Sequence, residues 1–138
     1  MNNKLITGGG SWLGAFLLIL ISFLNAEATH LRAGEITLQR VSCTSLTFRI
    51  TITVYTDTGS PIKFGDGELN FGDGSKPLTT PQIDNTLRPD LGPEVGTVSY
   101  TVEHTFAGPG KYTISYLEAN RNAGILNMTN SVDTRFYV

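Results

Sequence analysis

The side chains most able to do chemistry are acidic and lie in the middle of the chain. They are Asp66, Glu68, Asp73 and Asp84. Carboxylates on loops suit calcium, which takes about six to eight oxygen ligands. Asp66, Glu68 and Asp73 are therefore weak candidates for a calcium site, although their spacing fits no EF-hand loop. We favour structural turns at these positions and expect no metal and no cofactor.

The chain offers few nucleophiles or bases, since it has two histidines and one cysteine. His104 lies in phase with apolar neighbours, which favours a core histidine. Cys43 cannot form an internal disulfide alone, and we predict that it is a small buried hydrophobic residue. The sequence lacks a Gly-x-Ser-x-Gly turn, a phosphate-binding loop and a dinucleotide fingerprint. These features predict that the protein is not an enzyme.

The N-terminal segment has the organisation of a secretory signal. Lys4 gives a weakly positive start, residues 12–24 are apolar, and Ala26-Glu27-Ala28 is a small-x-small cleavage site. The apolar part is shorter than the about 20 residues that a spanning helix needs, which argues against the alternative of an uncleaved anchor. We predict a signal peptide helix within residues 1–28, export to the extracellular space or cell surface, and only transient contact with the membrane.

The charge balance excludes one class of partner. The formal net charge is -2, and no run of lysine or arginine could neutralise a phosphate backbone. We therefore expect no nucleic-acid binding.

Residues 29–138 show the period-two alternation of β-strands. Apolar and polar residues alternate along residues 46–54, 98–106 and 112–116, so each segment would bury one face. Clusters of glycine, proline and asparagine separate these strands, which predicts one antiparallel β-sandwich of the immunoglobulin-like type. Three shorter strands are predicted at residues 35–39, 68–71 and 134–138.

The loops are also predicted from composition. The four prolines within residues 75–96 indicate a long surface excursion, and residues 120–130 are rich in asparagine and glycine. Gly108-Pro109-Gly110 is typical of a tight turn, which predicts a hairpin between the two strands that flank it. The chain ends inside an apolar run, and we expect residues 29–138 to be the N-terminal piece of a longer protein.

Two motifs resemble the polycystic-kidney-disease (PKD) domain. Residues 69–75, Leu-Asn-Phe-Gly-Asp-Gly-Ser, are similar to its W-D-F-G-D-G-S hallmark, with leucine and asparagine replacing the first two residues. Residues 102–114 resemble its H-T-[FY]-x-x-x-G-x-Y-x-[VI] segment. The resemblance implies an extracellular, non-catalytic sandwich that contacts proteins or carbohydrates or acts as a spacer. The matching structural residues are Phe71, Gly72, Asp73, Gly74, His104, Phe106, Gly110 and Tyr112.

A second resemblance lies at the predicted mature start. Residues 28–37, Ala-Thr-His-Leu-Arg-Ala-Gly-Glu-Ile-Thr, are similar to the beginning of large secreted, gliding-motility-associated surface proteins of Bacteroidetes. Those proteins chain several sandwich modules. The resemblance implies further domains of the same polypeptide and a protein or glycan partner at the cell surface.

Two functions follow as hypotheses. The first is a non-catalytic extracellular module for surface adhesion or protein interaction, or a spacer in a larger secreted protein. The alternative is a carbohydrate-binding accessory domain of a secreted hydrolase. Exposed aromatic rings would favour the alternative, and Tyr55 is the one tyrosine on the polar phase of a strong strand.

Overall fold

The structure is a computed structural model that describes residues 30–119 and 121–138. The predicted signal peptide lies outside the described residues. The elements, in chain order, are strands β1 (Leu31–Arg40), β2 (Thr47–Asp57), β3 (Glu68–Asn70), β4 (Leu78–Thr79), β5 (Thr86–Leu87), β6 (Val95–Thr105) and β7 (Ser115–Glu118), a 3-10 turn (Ser131–Asp133) and strand β8 (Phe136–Tyr137).

The strands form two four-stranded antiparallel sheets. The first sheet has the order β1-β2-β6-β5 and the second has the order β4-β3-β7-β8. The long strands arise where the sequence alternates, because a strand can then bury one face and hydrate the other. The predicted all-β class is therefore confirmed. In the described part of the chain, no helix is long and apolar enough to cross a membrane.

One hydrophobic core lies between the sheets, as in a β-sandwich. Ile50, Ile52 and Val54 of β2 are fully buried, as the alternation predicts. They pack in one cluster with buried side chains of the second sheet and its loops. These partners include Phe64, Leu69, Phe71, Tyr116 and Phe136.

The outer face of the first sheet carries matched polar pairs across β2 and β6. The hydroxyls of Thr51 and Thr101 lie 3.0 Å apart, and Arg49 donates to Glu103 at 2.9 Å. Thr47 and Thr105 make a further hydroxyl pair at 2.9 Å. Directly opposed pairs of this kind stabilise one register of an antiparallel ladder.

The predicted hairpin at Gly108-Pro109-Gly110 is wrong. β6 belongs to the first sheet and β7 to the second, so the turn carries the chain across the core. Of the third strand predicted over residues 112–116, only Ser115 and Tyr116 are in a strand, which is β7 (Ser115–Glu118). Residues 75–96 are also more ordered than predicted, since they hold β4, β5 and the buried Thr80.

Candidate functional site

The two PKD-like motifs meet in space at one end of the sandwich. Phe71, which follows β3, stacks on His104 of β6 with ring centroids 3.9 Å apart and planes 4° from parallel. Next to this stack, the His104 Nε2–H donates to the Asp73 Oδ2 at 2.7 Å. Residues more than thirty positions apart thus form one clasp between the two sheets, which we call the Asp73–His104 clasp.

The loop that carries Asp73 is held by short-range bonds. The Asn70 side-chain oxygen accepts the Gly72 N–H at 2.8 Å. Asp73 Oδ1 accepts the Ser75 N–H at 3.0 Å and its hydroxyl at 2.6 Å. Asn70 and Asp73 each accept an N–H group two residues further along the chain, which is the geometry of an Asx turn.

Gly72 and Gly74 both have positive φ angles, of 76° and 82°. Their surroundings differ. A Cβ on Gly72 would lie 2.3 Å from the Thr113 carbonyl oxygen, whereas a Cβ on Gly74 would meet nothing within 4 Å. Position 72 therefore needs glycine for space and for conformation, and position 74 needs it for conformation alone.

The electrostatics of the clasp favour an ionised aspartate. The Ser75 hydroxyl and N–H, and then the His104 ring, hold the pKa of the Asp73 carboxyl well below its usual range. Ser75 donates to the carboxylate and not to the imidazole. The order Ser–Asp–His lacks the contact between nucleophile and base that activates a serine. This arrangement supports a structural use of the clasp.

A column of aromatic rings continues from the clasp. The His104 ring lies edge-on to Phe106 at 4.8 Å, and Phe106 stacks on Tyr112 at 4.2 Å. The Tyr112 hydroxyl donates to the Gly108 carbonyl at 2.8 Å. A Cβ on Gly110 would lie 3.2 Å from this tyrosine ring, so the small residue leaves room for the ring to fold back over the turn.

The acidic calcium candidates are engaged in separate interactions. Asp66 accepts a bond from Gln82 at 2.7 Å, and Asp84 pairs with Lys63 at 2.8 Å. Glu68 is exposed on β3. Asp73 belongs to the clasp. Within residues 30–119 and 121–138, no group of three or more His, Cys, Asp or Glu side chains is arranged to hold a metal ion.

A buried polar network was missed by sequence reasoning. The Tyr116 hydroxyl donates to the Glu118 carboxylate, and the Thr80 hydroxyl lies 3.1 Å from the tyrosine oxygen. Burial, and then the bond to Glu118, raises the pKa of Tyr116 well above its usual range. A Cβ on Gly67 would lie 2.3 Å from the Tyr116 oxygen. The signal was the spacing of Tyr116 and Glu118, which places both on one face of a strand.

The predicted burial of Cys43 is also wrong. Cys43 is exposed in the turn between β1 and β2, beyond the end of the sheet. Arg40 spans this turn and donates to the carbonyls of Ser45 at 3.0 Å and of Cys43 at 3.3 Å. Cys43 lies after β1 ends at Arg40 and before β2 begins at Thr47, so it is on no packed face of the sheet.

His30 is a second histidine with an unusual environment. It is fully buried, and neither ring nitrogen has a hydrogen-bond partner of normal geometry. Burial lowers the pKa of its imidazole, while the nearby Asp57 partly opposes that effect. Asp57 itself pairs with Arg32 at 2.7 Å.

Comparison of the chain with protein-family models, with curated proteins and with solved structures gives no match. The geometry by itself defines a β-sandwich with an Asp73–His104 clasp at one end.

Proposed function

We propose that the chain is a non-catalytic, extracellular PKD-like module with an immunoglobulin-like sandwich. It would act in cell-surface adhesion or protein interaction, or as a spacer within a larger secreted protein. The observation that carries the proposal is the Asp73–His104 clasp. It joins the two motifs that resemble the PKD domain, and Phe71, Asp73 and His104 of those motifs contact one another there.

The chemistry of the described polar side chains supports a non-catalytic role. Asp73 is bonded by Ser75 and His104, and Tyr116 is bonded to Glu118. The polar pairs on the outer face of the first sheet satisfy each other across β2 and β6. These bonds connect the loops and strands of the fold, and the serine of the clasp has no contact with the histidine that could activate it as a nucleophile.

The segment before β1 supports export. Residues 1–28 have the pattern of a signal peptide, and the mature chain would begin at Thr29. Further domains of the same polypeptide, and a protein or glycan at the cell surface, would then be the partners.

The test of this proposal is to produce the full chain in an export-competent bacterium. We expect the exported protein to begin at Thr29 by N-terminal sequencing and to be recovered outside the cytoplasm, in the periplasmic or medium fraction. The matched control is Ala28→Arg, which replaces the small residue required before the cleavage site. Retention of wild-type protein in the cytoplasm, or hydrolysis of peptide or glycan substrates by the purified protein, would overturn the proposal.

One observation favours the alternative of a carbohydrate-binding accessory domain. Tyr137 on β8 is 60% exposed, and exposed flat rings are typical sugar-stacking platforms. A glycan array probed with the exported protein tests this alternative. Binding that is lost in Tyr137→Ala and kept in Tyr112→Phe would support it, because Tyr112 uses its hydroxyl only within its own turn.

A further inference from the structure

An open apolar groove lies at the end of the sandwich where the chain crosses between the sheets. Its volume is about 310 Å³. Leu38, one of its lining residues, is 49% exposed. The lining side chains come from both sheets and the crossing turn, and include Leu38, Leu46, Phe48, Phe106, Tyr112 and Ile114. The groove therefore leaves apolar side chains of both sheets in contact with solvent.

The groove lies beside a stretch of chain that is not paired with a strand on one side. The alternation over residues 112–116 predicts a strand, yet β7 starts only at Ser115. On one side β3 pairs as far as Ser115. On the other side β8 pairs with Leu117 and Glu118. Among the described residues, no strand pairs with residues 111–114 on the side of β8.

The pairing of β7 with β8 indicates how that gap would be filled. Tyr116 and Val138 exchange backbone bonds of 2.9 and 3.0 Å, which is the last rung of this ladder. The ladder is antiparallel, so each residue added after Val138 would oppose an earlier residue of the 111–115 stretch. The second and fourth added residues would lie opposite Ile114 and Tyr112.

The phase of β8 shows which added side chains would enter the groove. Phe136 is buried, Tyr137 is 60% exposed, and Val138 is half-buried against the core. Successive side chains of a strand alternate between faces. The second and fourth added side chains would therefore point inward, onto the side where Ile114 and Tyr112 line the groove.

Gly34 of β1 supports this path. A Cβ on Gly34 would lie 2.9 Å from the Phe136 ring and 3.1 Å from a Val138 methyl. β8 therefore runs close over β1, and Leu38, further along β1, lines the groove. A strand that runs on from β8 would pass from the Gly34 contact toward the groove.

We propose that the groove receives one more β-strand, supplied by polypeptide that continues β8 and runs antiparallel to residues 111–115. Its second and fourth residues would be branched aliphatic, such as valine or isoleucine. The proposal rests on the proposed function in one respect, namely that this module belongs to a longer polypeptide. Continuity with the existing ladder of β7 and β8 favours this occupant over a separate peptide, because Val138 already lies in register.

The experiment compares two short extensions of the full chain that have the same composition. The in-phase extension is Thr-Val-Thr-Val-Thr-Lys, which places valine at the second and fourth positions. The shifted extension is Val-Thr-Val-Thr-Thr-Lys, which turns both valines toward solvent. We expect the in-phase extension alone to raise the melting temperature by about 4 °C or more and to slow amide exchange of residues 111–114 at least about tenfold.

A hydrophobic dye, bis-ANS, reports on the groove independently of stability. Its fluorescence should fall with the in-phase extension and stay at the wild-type level with the shifted one. Equal melting temperatures, exchange rates and dye binding for the two extensions would overturn the proposal. Failure of export, by contrast, would affect only the proposed function, because the extended chains can be compared in purified form wherever they accumulate.

Other occupants of the groove predict different results. A second copy of the chain would produce a concentration-dependent dimer in light scattering that the in-phase extension abolishes. A separate partner strand would be mimicked by a free peptide of the in-phase sequence that protects residues 111–114 as well as the tethered one does. Either result would contradict a strand supplied by continuation of β8.

Discussion

At the scale of single residues, Asp73 shows how a group with catalytic potential is used for structure. Its two carboxylate oxygens divide their partners between the loop and the opposite sheet. Oδ1 accepts from Ser75 and Oδ2 accepts from His104. Charge-assisted bonds of this type are stronger than neutral ones, and here they fasten a glycine-rich loop to β6.

The glycines of this loop provide a matched pair for mutation. Gly74→Ala should lower the free energy of unfolding by about 1 kcal/mol, because alanine is strained at positive φ. Gly72→Ala should cost at least about twice as much, since its Cβ would also lie 2.3 Å from the Thr113 carbonyl oxygen. Urea denaturation of both variants measures the difference. Equal losses would mean that the close approach of Gly72 and Thr113 is relieved by a small shift.

His30 predicts a dependence of stability on pH. Burial lowers the pKa of His30 below its ordinary value of 6.5, so the folded state prefers neutral imidazole. Its contribution to stability is complete above pH 6.5 and is lost as the pH falls from that value toward the lowered pKa. Urea midpoints at about pH 7.5 and about pH 5.5 should therefore differ in the wild type and differ less in His30→Phe.

The control for that experiment is the other histidine. His104 donates to Asp73, and His104→Gln removes this histidine while leaving His30 in place. The acid-side loss of stability should persist in His104→Gln. If His30→Phe retains the full wild-type pH dependence, another group causes it.

At this scale the sequence predicts backbone conformation better than it predicts the burial of single side chains. The positive φ of Gly72 and Gly74 was predictable, because a glycine-rich turn has few other conformations. The exposure of Cys43 and the burial of Glu118 were not, because both depend on tertiary position. Cys43 lies in the turn between β1 and β2, and Glu118 is buried on the same strand as Tyr116, which donates to it.

At the scale of elements, β2 provides the clearest test of the alternation. Ile52 is fully buried in the core, whereas the Thr51 hydroxyl pairs with Thr101 on the outer face. Ile52→Ala should cost about 2–5 kcal/mol, as truncation of a buried isoleucine does. Thr51→Ala should cost less than about 1 kcal/mol. Denaturant titrations of the two variants provide the comparison, and similar losses would contradict the assignment of faces.

The same alternation could not assign strands to sheets. The period-two alternation of apolar and polar residues shows which face of a strand is buried but not which strand lies beside it. β6 and the segment after Gly110 both have an apolar face, and a hairpin would satisfy that pattern. In the structure, their apolar faces meet across the core, and Phe106 stacks on Tyr112 at 4.2 Å. That contact between the sheets depends on long-range packing, which the alternation along a single strand does not determine.

At the scale of the whole molecule, the two ends of the sandwich differ in chemistry. The pairing of β1 with β2 places Leu31 beside Thr56 and Arg40 beside Phe48, so the strand joins the ends. The first end holds buried His30 and the Arg32–Asp57 ion pair. The second end holds the apolar groove. Among the described residues, one end of the sandwich is therefore rich in buried polar groups and the other is apolar and open.

A calcium site would depend on the whole fold, because the acidic candidates lie on separate loops that only the folded chain could bring together. Asp66, Asp73 and Asp84 each have their own protein partner. We expect the melting temperature to be the same with EDTA and with about 5 mM calcium, which would saturate the weak sites of extracellular modules. Calorimetry of the exported protein measures this. A ligand that binds only the folded state must raise the melting temperature by mass action, so a calcium-dependent rise would contradict the structural reading. Its loss in Asp66→Asn but not in Asp90→Asn, where Asp90 pairs with Arg88 at the surface, would then locate the site.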